Sequence, residues 1–279
     1  MNIRAQKKNS ILVKVASFCL CVIFASAFMV AADGEKNVLS YYVFTPTENP
    51  ILQAETALSK ALAENKYALI VLGAQWCHDS VGLAENFSTD EMQTVLADRY
   101  VTQFIDVAYL EDRRDITNLV GYPNYFATPS VFIVDPVSNT LINMDSLTEW
   151  QSAASVDLQV YIEQFSRFNQ EETPTKPALI NNMPPLEAFE AQQSERLQQG
   201  YRVLGPLLAI SDVGDSSNMT GKEREQFVKL WREVKKFRTN LQANIHELRG
   251  VEIDDDELPQ KLIDATPKVQ YWEQSAVED

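Results

Sequence analysis

LGAQWCHDSVGL, residues 72–83, is the stretch on which the reading of this chain turns. It follows an apolar run, Tyr67 to Leu72, with the length and composition of a buried strand. Past Cys77 the pattern becomes helical, with Val81, Ala84 and Phe87 on one side. A cysteine therefore stands where a strand ends and a helix begins. Free N–H groups and the helix dipole stabilise negative charge at such a junction, and the thiolate is the nucleophilic form of cysteine. Ser80 lies one helical turn further on, which brings its hydroxyl within reach of the sulfur. His78 adds positive charge when protonated, and otherwise reads as an exposed loop residue. Asp79 works against a thiolate unless it pairs with His78 or caps the helix.

Upstream, apolar residues at helical spacing predict a helix over 49–66, before the strand at 67–72. Ser88 and Glu91 have the spacing of a capping box, so a new helix is expected from there to Asp98. Val101–Val107 reads as a strand, and Asp115–Val120 as a short helix before the turn Gly121-Tyr122-Pro123-Asn124. Ser130–Val134 is expected to pair with Leu141–Met144 as a hairpin, and Ser146–Phe168 to be mostly one helix. Strands alternating with helices imply an α/β domain, a central mixed sheet flanked by helices.

Trp76-Cys77-His78-Asp79-Ser80 after a buried strand, and Thr128-Pro129 immediately before another, resemble the thioredoxin superfamily. The resemblance covers Asn49–Phe168, and more closely points to exported bacterial thioredoxin-like proteins with a WCHDS-type site. It implies a thioredoxin-like fold, with Cys77 as nucleophile assisted by His78 and Ser80. It also implies that Trp76, Thr128 and a cis Pro129 border the substrate. Read without it, Pro129 is a strand-start proline and Trp76 ordinary core packing. The sequence departs from the family in two ways. Ser80 replaces the second, resolving cysteine, and Val71 stands where many thioredoxins carry a buried acid.

The remainder of the 279 residues sets the context. A formal net charge of −15 argues against nucleic-acid binding, because phosphate backbones reward Lys and Arg. Arg4, Lys7, Lys8 and Lys14 precede an uncharged run, Val15–Ala32, that closes in small residues. Residues 1–32 thus read as a secretory signal peptide cleaved after Ala32, with Ala27 as the alternative site and an uncleaved membrane anchor as the competing reading. Cys19 and Cys21 fall inside this segment, so the mature chain keeps Cys77 alone: a free thiol or an intermolecular partner. Cys77, His78 and His246 do not make a zinc set, and neither a metal nor a cofactor is expected.

The domain at 33–168 is followed by a polar, proline-bearing linker at 169–185 and a C-terminal helical region at 186–279. A helix over Leu186–Tyr201 is expected to break or bend at Gly205-Pro206. Thr220 and Glu223 open another, carrying Phe227, Trp231, Val234, Phe237, Leu241, Ile245 and Leu248 at intervals of three and four. Asp254 to Glu257 reads as a solvated acidic loop. Two functions follow. One is thiol–disulfide exchange in the periplasm or cell envelope, on a disulfide-containing protein or small thiol. The other is a non-catalytic binding protein engaging a partner through its C-terminal helices.

Overall fold

The structure, a computed structural model, describes residues 42–168, 183–213, 219–251 and 253–274. The signal segment and most of the linker fall outside them. The elements run α1 (Pro50–Glu64), β1 (Tyr67–Gly73), α2 (His78–Phe87), α3 (Asp90–Arg99), β2 (Tyr100–Asp106), α4 (Arg114–Leu119), β3 (Ser130–Asp135) and β4 (Thr140–Leu141). Two 3-10 segments follow, at Met144–Ser146 and Glu149–Ser155, then α5 (Leu158–Ser166), α6 (Pro184–Val213), α7 (Gly221–Gly250), α8 (Leu258–Ala265) and α9 (Tyr271–Gln274).

The sheet has the order β2-β1-β3-β4. The first two strands are parallel, with Gly73 opposite Asp106, and β3 runs antiparallel to β1, with Leu72 opposite Ser130. Every residue of β1 is buried, because this central strand is covered on both faces. Its alternation divides the core. Ala68, Ile70 and Leu72 join one cluster with residues of α1, α4, α6 and α7. Tyr67, Leu69 and Val71 join the other, with Leu83 and Phe87 of α2, Met92 and Leu96 of α3, and Tyr161 and Phe165 of α5. The C-terminal helices thus share one of the sheet's two cores: Leu197, Tyr201, Leu230, Val234 and Leu241 are buried there.

Four local expectations are corrected. The cap of α3 is Thr89, whose side chain accepts from Met92 N; the Ser88 hydroxyl instead donates to Ala84 O, closing α2. The hairpin partner of β3 is only two residues long because the Asn143 side chain takes over its ladder, accepting from Ile133 N at 2.8 Å and donating to Val131 O at 2.9 Å. The long helix over 146–168 is replaced by 3-10 turns and α5, since side chains capture the backbone between them: Ala154 N donates to Asp79 Oδ1 and Tyr161 Oη to Ala153 O. Finally, α6 continues through Gly205-Pro206 to Val213. A Cβ at Gly205 would lie 2.2 Å from Tyr109 O, so glycine is there to let the loop after β2 touch the helix backbone. The capping box at Thr220 and Glu223 forms as expected, and it holds the Glu223 carboxyl below the usual range.

Candidate functional site

The site lies at the carboxyl end of β1. Cys77 is the N-cap of α2, extended at φ −94° and ψ 115°, and its carbonyl accepts from Val81 N at 3.0 Å. Its sulfur is half-buried, at the positive end of the helix dipole. The Sγ–H donates to Thr128 O at 2.9 Å, and the Thr128–Pro129 peptide bond is cis. Cys77, Thr128 and Pro129, far apart in sequence, are therefore brought together. Thr128 O is the only hydrogen-bond partner of the sulfur among the described residues, and the Thr128 N–H has no protein acceptor among them.

Trp76 is held by a hydrogen bond from its Nε1 to Ala108 O at 2.7 Å. Ala108 has φ 46° and Leu110 φ 67°, so the loop after β2 doubles back to present that carbonyl. Trp76 is only partly buried, with its ring edge-on to Trp231 of α7 at 6.3 Å. His78 is exposed, and no hydrogen bond or ion pair holds its ring among the described residues.

Ser80 occupies a different place from the one expected of it. It is fully buried, and its Oγ accepts from Ala74 N at 3.4 Å instead of meeting the sulfur. A Cβ at Gly73 would lie 2.7 Å from that Oγ and 2.5 Å from the Phe44 ring. Ser80 thus packs beneath the loop that carries Cys77. Asp79 neither pairs with His78 nor caps α2; it ties the helix to the 3-10 segment through Ala154 N at 3.2 Å.

Three residues near this end of the sheet had no place at the site in the sequence, Trp231 being legible there only as part of an apolar helix stripe. Trp231 and the Ala108 carbonyl complete the cradle of Trp76. Asp106, opposite Gly73, is 8 % exposed, and burial raises its carboxyl above the ordinary range. A carboxyl at a strand's end gives no periodic signal, so nothing in the local sequence marks it.

A second feature lies apart from Cys77. A cleft of about 710 Å³ opens between α4, the Gly121-Tyr122 turn and the C-terminal helices, lined among others by Asp112, Arg114, Glu187, Glu190 and Arg249. None of Trp76, Cys77, His78, Ser80, Thr128 or Pro129 lines it. No group of three or more His, Cys, Asp or Glu among the described residues is placed to hold a metal ion. No helix among them is long and apolar enough to cross a membrane.

A mixed four-stranded sheet flanked by helices, with a cysteine at the β1–α2 junction facing a cis-proline, defines a thioredoxin-like domain, here extended by C-terminal helices. Residues 49–136 match the family model described as thioredoxin-like. A solved structure described as the disulphide isomerase from Xylella fastidiosa Temecula1 is similar at 20 % identity and a TM-score of 0.41, over 46 % of this chain and 97 % of that one. No curated protein matches the chain.

Proposed function

We propose that the protein is an exported thioredoxin-like thiol–disulfide exchange protein that works through Cys77 alone. The observation that carries this reading is the half-buried Cys77 sulfur, at a helix N-cap and 2.9 Å from the carbonyl that precedes cis Pro129. In the first step the Cys77 thiolate attacks a substrate disulfide. A new S–S bond forms, the old one breaks, and the departing substrate sulfur leaves as a thiolate that takes up a proton. Cys77 is the mature chain's one sulfhydryl, so the second step belongs to another molecule. Either the substrate's own second thiol or a small thiol of the glutathione class attacks the mixed disulfide and releases Cys77 reduced.

The chain's other residues serve binding and orientation. The Thr128 N–H, with no acceptor among the described residues, is available to an extended substrate backbone beside the sulfur. Ser80 and Gly73 hold the loop in place from below. His78, exposed and next to Cys77 in the chain, is a candidate to protonate the departing thiolate. The basic, apolar and small-residue pattern of residues 1–32 supports export to the periplasm or cell envelope, with cleavage after Ala32.

Trapping in the native envelope fraction tests both parts. Acid quenching and alkylation should preserve mixed disulfides on the wild-type chain that Cys77→Ala lacks, and the mature N-terminus should be Asp33. A chain confined to the cytoplasm, or adducts unchanged by the substitution, would refute the proposal.

A further inference from the structure

Helix α7 is basic within an acidic protein. Lys222, Lys229, Arg232, Lys235 and Lys236 are exposed, and none makes an ion pair among the described residues. Elsewhere the cations are largely matched: Lys60, Lys66, Arg114, Arg167, Arg196 and Arg249 all pair with carboxylates. Of the carboxylates in this half-helix, Glu223 is engaged in the capping box, and Glu225 and Glu233 leave the cations in excess. In a chain of net charge −15, such a stripe is a local reversal of the field.

Its position gives the stripe a use. At 3.6 residues per turn, Arg232 and Lys235 lie on the flank of α7 next to Trp231. Trp231 stands edge-on to Trp76, the residue before Cys77, and packs against Phe227 with ring centroids 5.9 Å apart. All three rings are only partly buried. The contacts lead from Cys77 through its chain neighbour Trp76 to Trp231, beside the cations of α7. The apolar side of α7, through Leu230, Val234, Phe237 and Leu241, is already buried, so a lipid surface would find only Val228 and the edges of Phe227 and Trp231, whereas the cations match a carboxylate-bearing chain. A polypeptide is the occupant that fits.

We infer that the basic flank of α7 selects the substrate of the Cys77 site: acidic polypeptides whose disulfide is flanked by Asp or Glu. This rests on the thiol–disulfide reading above and assigns the C-terminal helices the task of recognition. The carboxylates of the substrate draw it to Arg232 and Lys235, and Trp76, Trp231 and Phe227 cover the apolar part of the peptide beside the disulfide.

The test uses the mature chain with two disulfide peptides of otherwise identical sequence, one flanked by glutamates and one by lysines. Neutral dithiodipyridine serves as a third reagent. At low ionic strength the glutamate peptide should form the Cys77 adduct on the order of tenfold faster, with the gap closing as salt is added. Arg232→Glu combined with Lys235→Glu should remove or invert the preference. Equal rates for the two peptides, or a preference that survives salt and the double variant, would overturn the inference. So would flotation of the chain on phosphatidylglycerol vesicles without any peptide preference. Failure of the wild-type chain to react even with dithiodipyridine would instead remove the underlying thiol reading.

Discussion

Trp76, one residue before Cys77, meets Trp231 of α7 edge-on, with ring centroids 6.3 Å apart and planes at 79°. This contact, with the bond from Trp76 Nε1 to Ala108 O, couples the cysteine-bearing loop to the C-terminal helices. Edge-to-face aromatic pairs contribute roughly 0.5–1.5 kcal/mol beyond their buried area. Trp231→Ala should therefore cost about 2 kcal/mol in urea unfolding. A polar substitution at Val228, 58 % exposed on the same helix, should stay within about 0.5 kcal/mol. Equal effects at the two positions would show that Trp231 is not packed as described.

Gly205 marks where α6 touches the loop that follows β2. Alanine favours a helix interior by roughly 1 kcal/mol over glycine. At Gly205, however, the added Cβ would lie 2.2 Å from the Tyr109 carbonyl oxygen. Gly205→Ala should thus lower stability by about 1–3 kcal/mol despite its better propensity. At Gly221 nothing lies within 4 Å, and alanine there should be neutral or stabilising. Thermal melts of the two variants, shifted in opposite directions, are the expected result.

Arg249 and Glu190 form a buried bidentate pair between α7 and α6, with both N···O distances at 2.6 Å. Arg249 also donates to Gly121 O at 3.3 Å and lies over the Tyr122 ring. Removing one member strands a buried charge, which costs roughly 3–5 kcal/mol. Arg249→Met should fall in that range. Combining it with Glu190→Leu should recover a large part of the loss, because the pair's desolvation disappears with both charges. A double variant as unstable as the sum of the singles would contradict this.

His246 supplies a pH dependence. Its Nε2 is 2.7 Å from Tyr122 Oη, and burial, followed by the charge of Arg249, pushes its pKa down to about 4. The ordinary value is about 6.5, so the unfolded chain binds the proton first as pH falls. The stabilisation is complete above about pH 6.5 and is lost progressively as the pH drops towards 4. At most it is on the order of 3 kcal/mol, reduced by partial solvent access. Denaturant midpoints should fall between pH 7 and pH 5 in the wild-type chain and change much less in His246→Gln. The same slope in both would locate the effect elsewhere.

Much of the site was legible in the sequence because its signals are local. An all-apolar run fixed β1, the change of period after it put Cys77 at a strand–helix junction, and Thr128-Pro129 stood directly before a second strand. What escaped depends on contacts between distant segments. Ser80 has the spacing to reach the sulfur, yet the Phe44–Gly73 packing turns it under the loop. Asn143 reads as one more strand residue until its amide is seen bonded to β3. Gly205-Pro206 signals a helix break or bend, but the glycine answers to Tyr109 and the helix runs on past the proline. The partnership of Trp76 with Trp231 joins two elements that no local pattern relates.

In the proposed exchange one cysteine forms the mixed disulfide and an outside thiol resolves it. The decisive measurement follows the intact mass of the mature chain with a disulfide peptide, then adds reduced glutathione. The expected course is a single peptide adduct, located at Cys77 and absent in Cys77→Ser, that disappears on addition of glutathione with free peptide thiol released. A folded chain that forms no adduct, while the same chain in urea does, would contradict the claim and leave Cys77 a structural thiol.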